Sequence, residues 1–132
     1  MNSERLTTKD DLVSAFNALG VSKGIEVMVH SSMSSLGYVV NGALDVIDAL
    51  LEAVGPEGTL LMPAHTGQLT DPADWKDPEL RSDWVDTVRR NMKPYDPRLT
   101  PVRNRGLVAQ TFLTYPCVLR SSHPLNSIAA KG

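Results

Sequence analysis

Eight residues from His30 to Gly37, HSSMSSLG, set one histidine and four serines side by side. Hydroxyls in such a loop suit a pyrophosphate when a helix N-terminus, with its free N–H groups and partial positive charge, lies beside them. A plain turn with capping serines is the competing reading of the same letters. His30 and His65 each close a segment that reads as a strand, and a lone histidine there is most often a hydrogen-bonded structural residue. His30, His65 and His123 lack the short ligand spacings of a zinc site, so no metal is expected. Cys117 is the single cysteine; with no disulfide partner in the sequence and Arg120 as its one nearby base, it reads as an inert thiol. Walker, GxGxxG, GxSxG, HExxH and CxxC patterns are missing, which sets aside several common enzyme classes.

Charge order is the second chemical feature. Asp71, Asp74, Asp77, Glu79, Asp83 and Asp86 stand against Lys76 and Arg81, and Arg89, Arg90, Lys93, Arg98, Arg103 and Arg105 follow. The plain reading is a solvated surface with scattered ion pairs; the functional one is a field that steers a cationic ligand to the acidic stretch. A net charge of −2 opposes general nucleic-acid binding. No apolar run approaches the roughly 20 residues that cross a bilayer. The polar start MNSERLTTKDD shows no apolar signal segment, so a cytoplasmic location is expected.

These residues need elements to hold them. Thr7 or Thr8 caps a first helix with Leu12, Phe16 and Leu19 on one stripe, ending at Gly20. Ile25 to His30 reads as a short buried strand, and Ser31 to Asn41 as a loop. Ala43 to Val54 places Leu44, Ile47, Leu51 and Val54 on one helical face and stops at Gly55-Pro56. Gly58 to His65 is a second strand, so residues 25–65 spell a βαβ unit with ligands expected beyond the carboxyl ends of its strands. Further on, Asp77 as N-cap, Pro78 and the four-residue spacing of Leu80, Trp84, Val88 and Met92 predict a helix over 78–92. Pro94, Pro97 and Pro101 force an extended segment, Gly106 to Tyr115 suits a short helix, and 118–120 and 127–130 read as short strands.

Four stretches, taken in order and spacing, resemble the aminoglycoside 3-N-acetyltransferase (antibiotic N-acetyltransferase) family: VHSSMSSLG (29–37), GPEGTLLMPAHT (55–66), PYDPRLTP (94–101) and RSSHPLNSIAAKG (120–132). The resemblance implies an α/β/α sandwich with a mostly parallel sheet, here apparently truncated, residues 1–132 forming the N-terminal, coenzyme A-binding half. It implies transfer of acetyl from acetyl-CoA to the 3-amino group of a deoxystreptamine aminoglycoside. His30, Ser31, Ser32, Met33, Ser34 and Ser35 match the loop that contacts the coenzyme pyrophosphate. Asp71, Asp74 and Asp77 are the candidates to face the antibiotic. The catalytic residues are not identified, because the family's catalytic histidine lies in a segment that would follow Gly132; the chain alone is therefore expected to turn over poorly and to self-associate. A non-catalytic coenzyme A-binding remnant is the alternative. Two departures stand out: Gln110 where relatives commonly carry glutamate, and Cys117 where they frequently carry glycine.

Overall fold

Thr8 closes the N-terminus of the first helix in both directions. Its hydroxyl accepts from the Asp11 N–H at 3.2 Å, and its own N–H donates to the Asp11 carboxylate at 2.9 Å, a reciprocal cap that satisfies two otherwise orphaned donors. Those bonds from Thr8 hold the Asp11 carboxyl below its ordinary range. The computed structural model describes residues 5–30, 32–75, 80–103 and 106–132. Helix α1 (Lys9–Ala18) follows that cap. It buries Leu12 and packs Val13 and Phe16 on the core. Leu19 departs from the expected stripe: it is the C-cap residue and is 81% exposed.

Two strands escape sequence inspection, β1 (Leu6–Thr7) and β3 (Tyr38–Val39), which pair in parallel as a small sheet. Between them in sequence lies β2 (Glu26–Met28), which is shorter than predicted and not buried. As an edge strand it leaves Glu26 exposed and Met28 42% exposed. Helix α2 (Ala43–Val54) spans the residues its periodicity predicts and buries Val46, Ile47, Leu50 and Val54. Gly55, at φ +70°, accepts the left-handed turn that ends it. Strand β4 (Thr59–Pro63) then returns beside β2 in parallel, completing the βαβ unit.

The predicted helix over 78–92 is shorter. A 3-10 turn at Ser82–Trp84 leads into α3 (Val85–Asn91), while Asp77 and Pro78, the expected start, lie outside the described residues. Helix α4 (Gly106–Phe112) buries Val108, Ala109 and Phe112. Strands β5 (Leu119–Arg120) and β6 (Ile128–Lys131) finish the larger sheet, in the order β2-β4-β6-β5.

That sheet is mixed, not mostly parallel: β6 runs antiparallel to both β4 and β5. The short connection from β5 to β6 accounts for the second of these pairings, because it allows a reversal but not a crossover. Leu60, Met62 and Ala129 face the helices and are fully buried with Ile47, Leu50 and Phe112. On the opposite face Met28, Leu61, Ala130 and Leu119 align in register across all four strands. This row is only partly covered, and Leu119 is 75% exposed.

Candidate functional site

The serine-rich loop leaves β2 at its carboxyl end and winds into a 3-10 turn, Met33–Leu36. Its hydroxyls are partly committed to one another: Ser32 Oγ and Ser34 Oγ lie 2.9 Å apart, and Ser35 Oγ donates to the Ser32 carbonyl at 2.9 Å. Gly37, at φ +77°, turns the chain out of the loop. The buried Thr7 hydroxyl then ties it to β1 by donating to the Leu36 carbonyl at 2.7 Å.

A pocket of about 470 Å³ opens at the carboxyl ends of β2 and β4. Val29, His30, Ser32, Met33 and Ser34 form one wall, Met62 and Pro63 the floor, and Gly106–Ala109 of α4 the far side. Four candidate cofactor residues, His30, Ser32, Met33 and Ser34, therefore share one cavity. Ser35 points its hydroxyl back into the loop, and Ser31 lies outside the described residues.

The loop does not run straight into a helix N-terminus. Strand β3 and a turn at Gly42 intervene, and α2 begins against its own carboxylate: Asp45, 6% exposed, accepts from the Asn41 N–H at 3.0 Å and from the Asn41 side chain at 3.1 Å. That end of α2 is already matched with negative charge.

The acidic stretch is laced with ion pairs. Asp71 Oδ1 accepts from Arg89 Nη2 at 2.8 Å, Arg89 Nη1 reaches Asp86 at 2.8 Å, and Arg81 forks onto Asp83. The Ala73 N–H, then the Arg89 guanidinium, hold the Asp71 carboxyl below its usual range. Asp74 is exposed, Asp77 lies outside the described residues, and neither Asp71 nor Asp74 lines the loop's pocket. Arg103 lies 5.6 Å from the centre of the Trp75 ring, and Arg105 lies outside the described residues.

The histidines separate by role. His30 lines the pocket, while the half-buried His65 accepts at its carbonyl from the Arg103 N–H at 3.0 Å. His123 Nδ1 accepts from the Asn126 N–H at 2.9 Å and the Leu125 N–H at 3.2 Å, which makes it a turn residue. Among the described residues no three His, Cys, Asp or Glu side chains are grouped to hold a metal ion, and no helix is long and apolar enough to cross a membrane.

Arg120, unremarkable as a letter, joins the motifs. Its guanidinium donates to the Ala64 carbonyl at 3.0 Å, to Ser127 Oγ at 3.2 Å and to the Thr100 carbonyl. Ser127 Oγ donates to the same Ala64 carbonyl at 2.6 Å. The carboxyl end of β4, just before His65, is thus clamped from the 94–101 and 120–132 stretches together.

The fold defines an α/β protein with a hydroxyl-lined pocket beyond the carboxyl edge of a βαβ unit. The match to the family described as aminoglycoside 3-N-acetyltransferase covers residues 28–132, and the chain belongs to that family. The SPbeta prophage-derived aminoglycoside N(3')-acetyltransferase-like protein YokD of Bacillus subtilis is 42% identical over 95% of this chain and 46% of its own length. The crystal structure of YokD superimposes with a TM-score of 0.91 over 97% of this chain and 48% of that one. Aminoglycoside N(3)-acetyltransferase VIII of Streptomyces fradiae is 40% identical over 95% of this chain and 43% of its own. A structure of AAC-IIIb, a binary complex with CoASH, matches at 29% identity with a TM-score of 0.80, over 97% of this chain and 47% of that one. The chain spans about half the length of the curated relatives it matches.

Proposed function

We propose that this chain supplies the coenzyme-binding part of an aminoglycoside 3-N-acetyltransferase that moves acetyl from acetyl-CoA to the 3-amino group of a deoxystreptamine antibiotic and so confers resistance. The observation that carries the reading is the 470 Å³ pocket that gathers His30, Ser32, Met33 and Ser34 beside α4, in a chain matched to the family over 28–132. The relative in complex with CoASH supports the cosubstrate, and the Streptomyces fradiae relative, by its name, supports the acceptor. The enzyme works in the cytoplasm, where acetyl-CoA is made and consumed.

In this reading the loop 30–35 holds the coenzyme through hydroxyls and backbone N–H groups, and Met33, Met62 and Pro63 give the pocket its apolar side. Direct transfer asks for a base at the attacking amine and donors at the developing oxyanion, because both charges appear only as bonds change. Asp71, Asp74 and Asp77 draw the polycationic acceptor by their field, Asp74 being the one of the described pair not held in an ion pair.

The test is calorimetric titration of the chain with acetyl-CoA, beside thiol release in the presence of gentamicin and kanamycin. Saturable coenzyme binding with antibiotic-dependent release supports the full reading. Binding without release supports only a coenzyme A-binding domain, and no binding removes both.

A further inference from the structure

Asn41 stands exposed in the turn between β3 and α2, and it is the asparagine of this sequence that a glycine follows. Gly42 has no side chain to hinder attack by its backbone nitrogen on the neighbouring side-chain amide. It holds φ +58°, and among the described residues nothing beyond its chain neighbours lies within 4 Å of where a Cβ would stand. Two bonds hold the pair in place. Asn41 Nδ2 donates to Asp45 Oδ1 at 3.1 Å and to Oδ2 at 3.3 Å, and the Gly42 N–H donates to the Val39 carbonyl at 3.0 Å. Both must open before the nitrogen can reach the amide carbon, so the fold slows that reaction, but an exposed turn opens locally far more often than the core does. The dependence runs the other way too. Asp45, 6% exposed, is satisfied by the Asn41 N–H at 3.0 Å and by the Asn41 side chain.

We propose that Asn41 is a deamidation site and that the carboxylate it gains loosens the start of α2. The Gly42 nitrogen bonds to Asn41 Cγ, and the Nδ2 group leaves with the Gly42 amide proton as ammonia. Water then opens the resulting succinimide at either carbonyl, giving an aspartyl residue or an isoaspartyl one with an extra methylene in the main chain. Neither product donates from its side chain to Asp45. Each sets a second carboxylate beside a buried one, so a hydrogen-bonded contact becomes like-charge repulsion. The field of the helix N-terminus does not offset this, because Asp45 already occupies that end. The helix that loosens is the one that carries Val46, Ile47, Leu50 and Val54 into the core and joins β2 to β4.

The test is ageing of the purified chain at physiological temperature, at neutral and at mildly alkaline pH, followed by peptide mapping with mass spectrometry. Aspartyl and isoaspartyl products at position 41 should accumulate ahead of conversion at Asn17, Asn91 and Asn126, and faster at the higher pH, because the attacking nitrogen must shed its proton. The aged species carries one more negative charge and separates by anion exchange. It should melt roughly 5 °C below the unaged chain, as should the Asn41→Asp variant. Adding Asp45→Asn to Asn41→Asp sets an amide against a carboxylate once more and should recover most of that fall. Conversion at 41 no faster than at the other three asparagines overturns the site. Unchanged melting of both the aged species and Asn41→Asp, or no recovery in the double variant, overturns the contact with Asp45 as the cause of loosening.

Discussion

The Arg120 guanidinium lies 5.1 Å from the centre of the Tyr95 ring, so a cation from the sheet's last hairpin sits on an aromatic from the proline-rich stretch. From that position it also bonds the Ala64 and Thr100 carbonyls. Lysine, with a point charge in place of a planar fork, cannot serve both carbonyls and stack on the ring. Arg120→Met should therefore destabilise by about 1.5–3 kcal/mol, and Arg120→Lys should recover less than half of that. Urea unfolding followed by circular dichroism checks both; full recovery by lysine would mean that charge alone matters.

Ser32 and Ser34 line the pocket, whereas the Ser35 hydroxyl is turned to the Ser32 carbonyl. Replacing Ser32 and Ser34 together by alanine should weaken coenzyme A binding about tenfold, as expected for one or two lost hydrogen bonds of about 1 kcal/mol each. Ser35→Ala should change it little. Calorimetry decides, and an equal loss in both variants would point to the loop's shape instead of its hydroxyls.

Cys117 holds φ +64° with a side chain attached. That region costs a residue with a Cβ roughly 1–2 kcal/mol, part of which glycine returns through the roughly 0.5–1 kcal/mol of extra freedom it has unfolded. Cys117→Gly should be about 0.5–1 kcal/mol more stable than Cys117→Ala, which keeps the Cβ. Thermal melts of the two variants give the comparison, and alanine matching glycine would exclude backbone strain.

Asp71 and Asp74 should not behave alike towards an aminoglycoside. Asp74→Asn removes a carboxylate that is in no ion pair among the described residues and should weaken antibiotic binding at low salt, an effect that fades as salt screens the field. Asp71→Asn releases Arg89, so the net loss of attraction should be accompanied by loosening of the Asp71–Arg89–Asp86 bridge. Titrating gentamicin at two ionic strengths separates them; salt-independent weakening by Asp74→Asn would refute steering by charge.

Tyr115 OH donates to the Asp48 carboxylate at 2.7 Å, joining the turn after α4 to α2. Burial first, then this bond and the Asp48 charge, push the Tyr115 phenol well above its ordinary value. Its stabilising bond is therefore intact below the unfolded tyrosine's pKa of about 10 and is lost as pH rises towards the folded value. Tyr115→Phe should cost about 1 kcal/mol at neutral pH and should fall less steeply in stability between neutral and strongly alkaline pH than the parent. Denaturant midpoints across that range report the difference.

Periodicity made α2 legible because one helix carried a full apolar stripe and a Gly-Pro stop, even though Leu44 of that stripe ends 50% exposed. Strands β1 and β3 left no pattern, since two residues cannot show alternation and their pairing joins Leu6 to Tyr38 across the intervening α1 and β2. The loop 30–35 was readable from its serines, but its distance from the start of α2 was not, because β3 is too short to announce itself. Counting signs found the acidic stretch and allowed for scattered ion pairs in it, but not which pairs form: Arg89 folds back over eighteen positions to Asp71, and no charge tally contains that turn. Arg120 was hidden for a related reason. Its partners are mostly backbone carbonyls, which every residue has, and Ser127 Oγ and the Tyr95 ring reach it only through the fold.

Strand β4 takes one neighbour from residues 26–28 and the other from residues 128–131. On a ribosome adding roughly 5–20 residues each second, β4 can meet β2 as soon as it emerges, but its other edge must wait several seconds for β6 to be synthesised. Nascent chains of this protein therefore pass through a stage in which Leu60 and Met62 have half their sheet, and slow translation through residues 64–127 would lengthen the time in which that open edge can be captured by a chaperone.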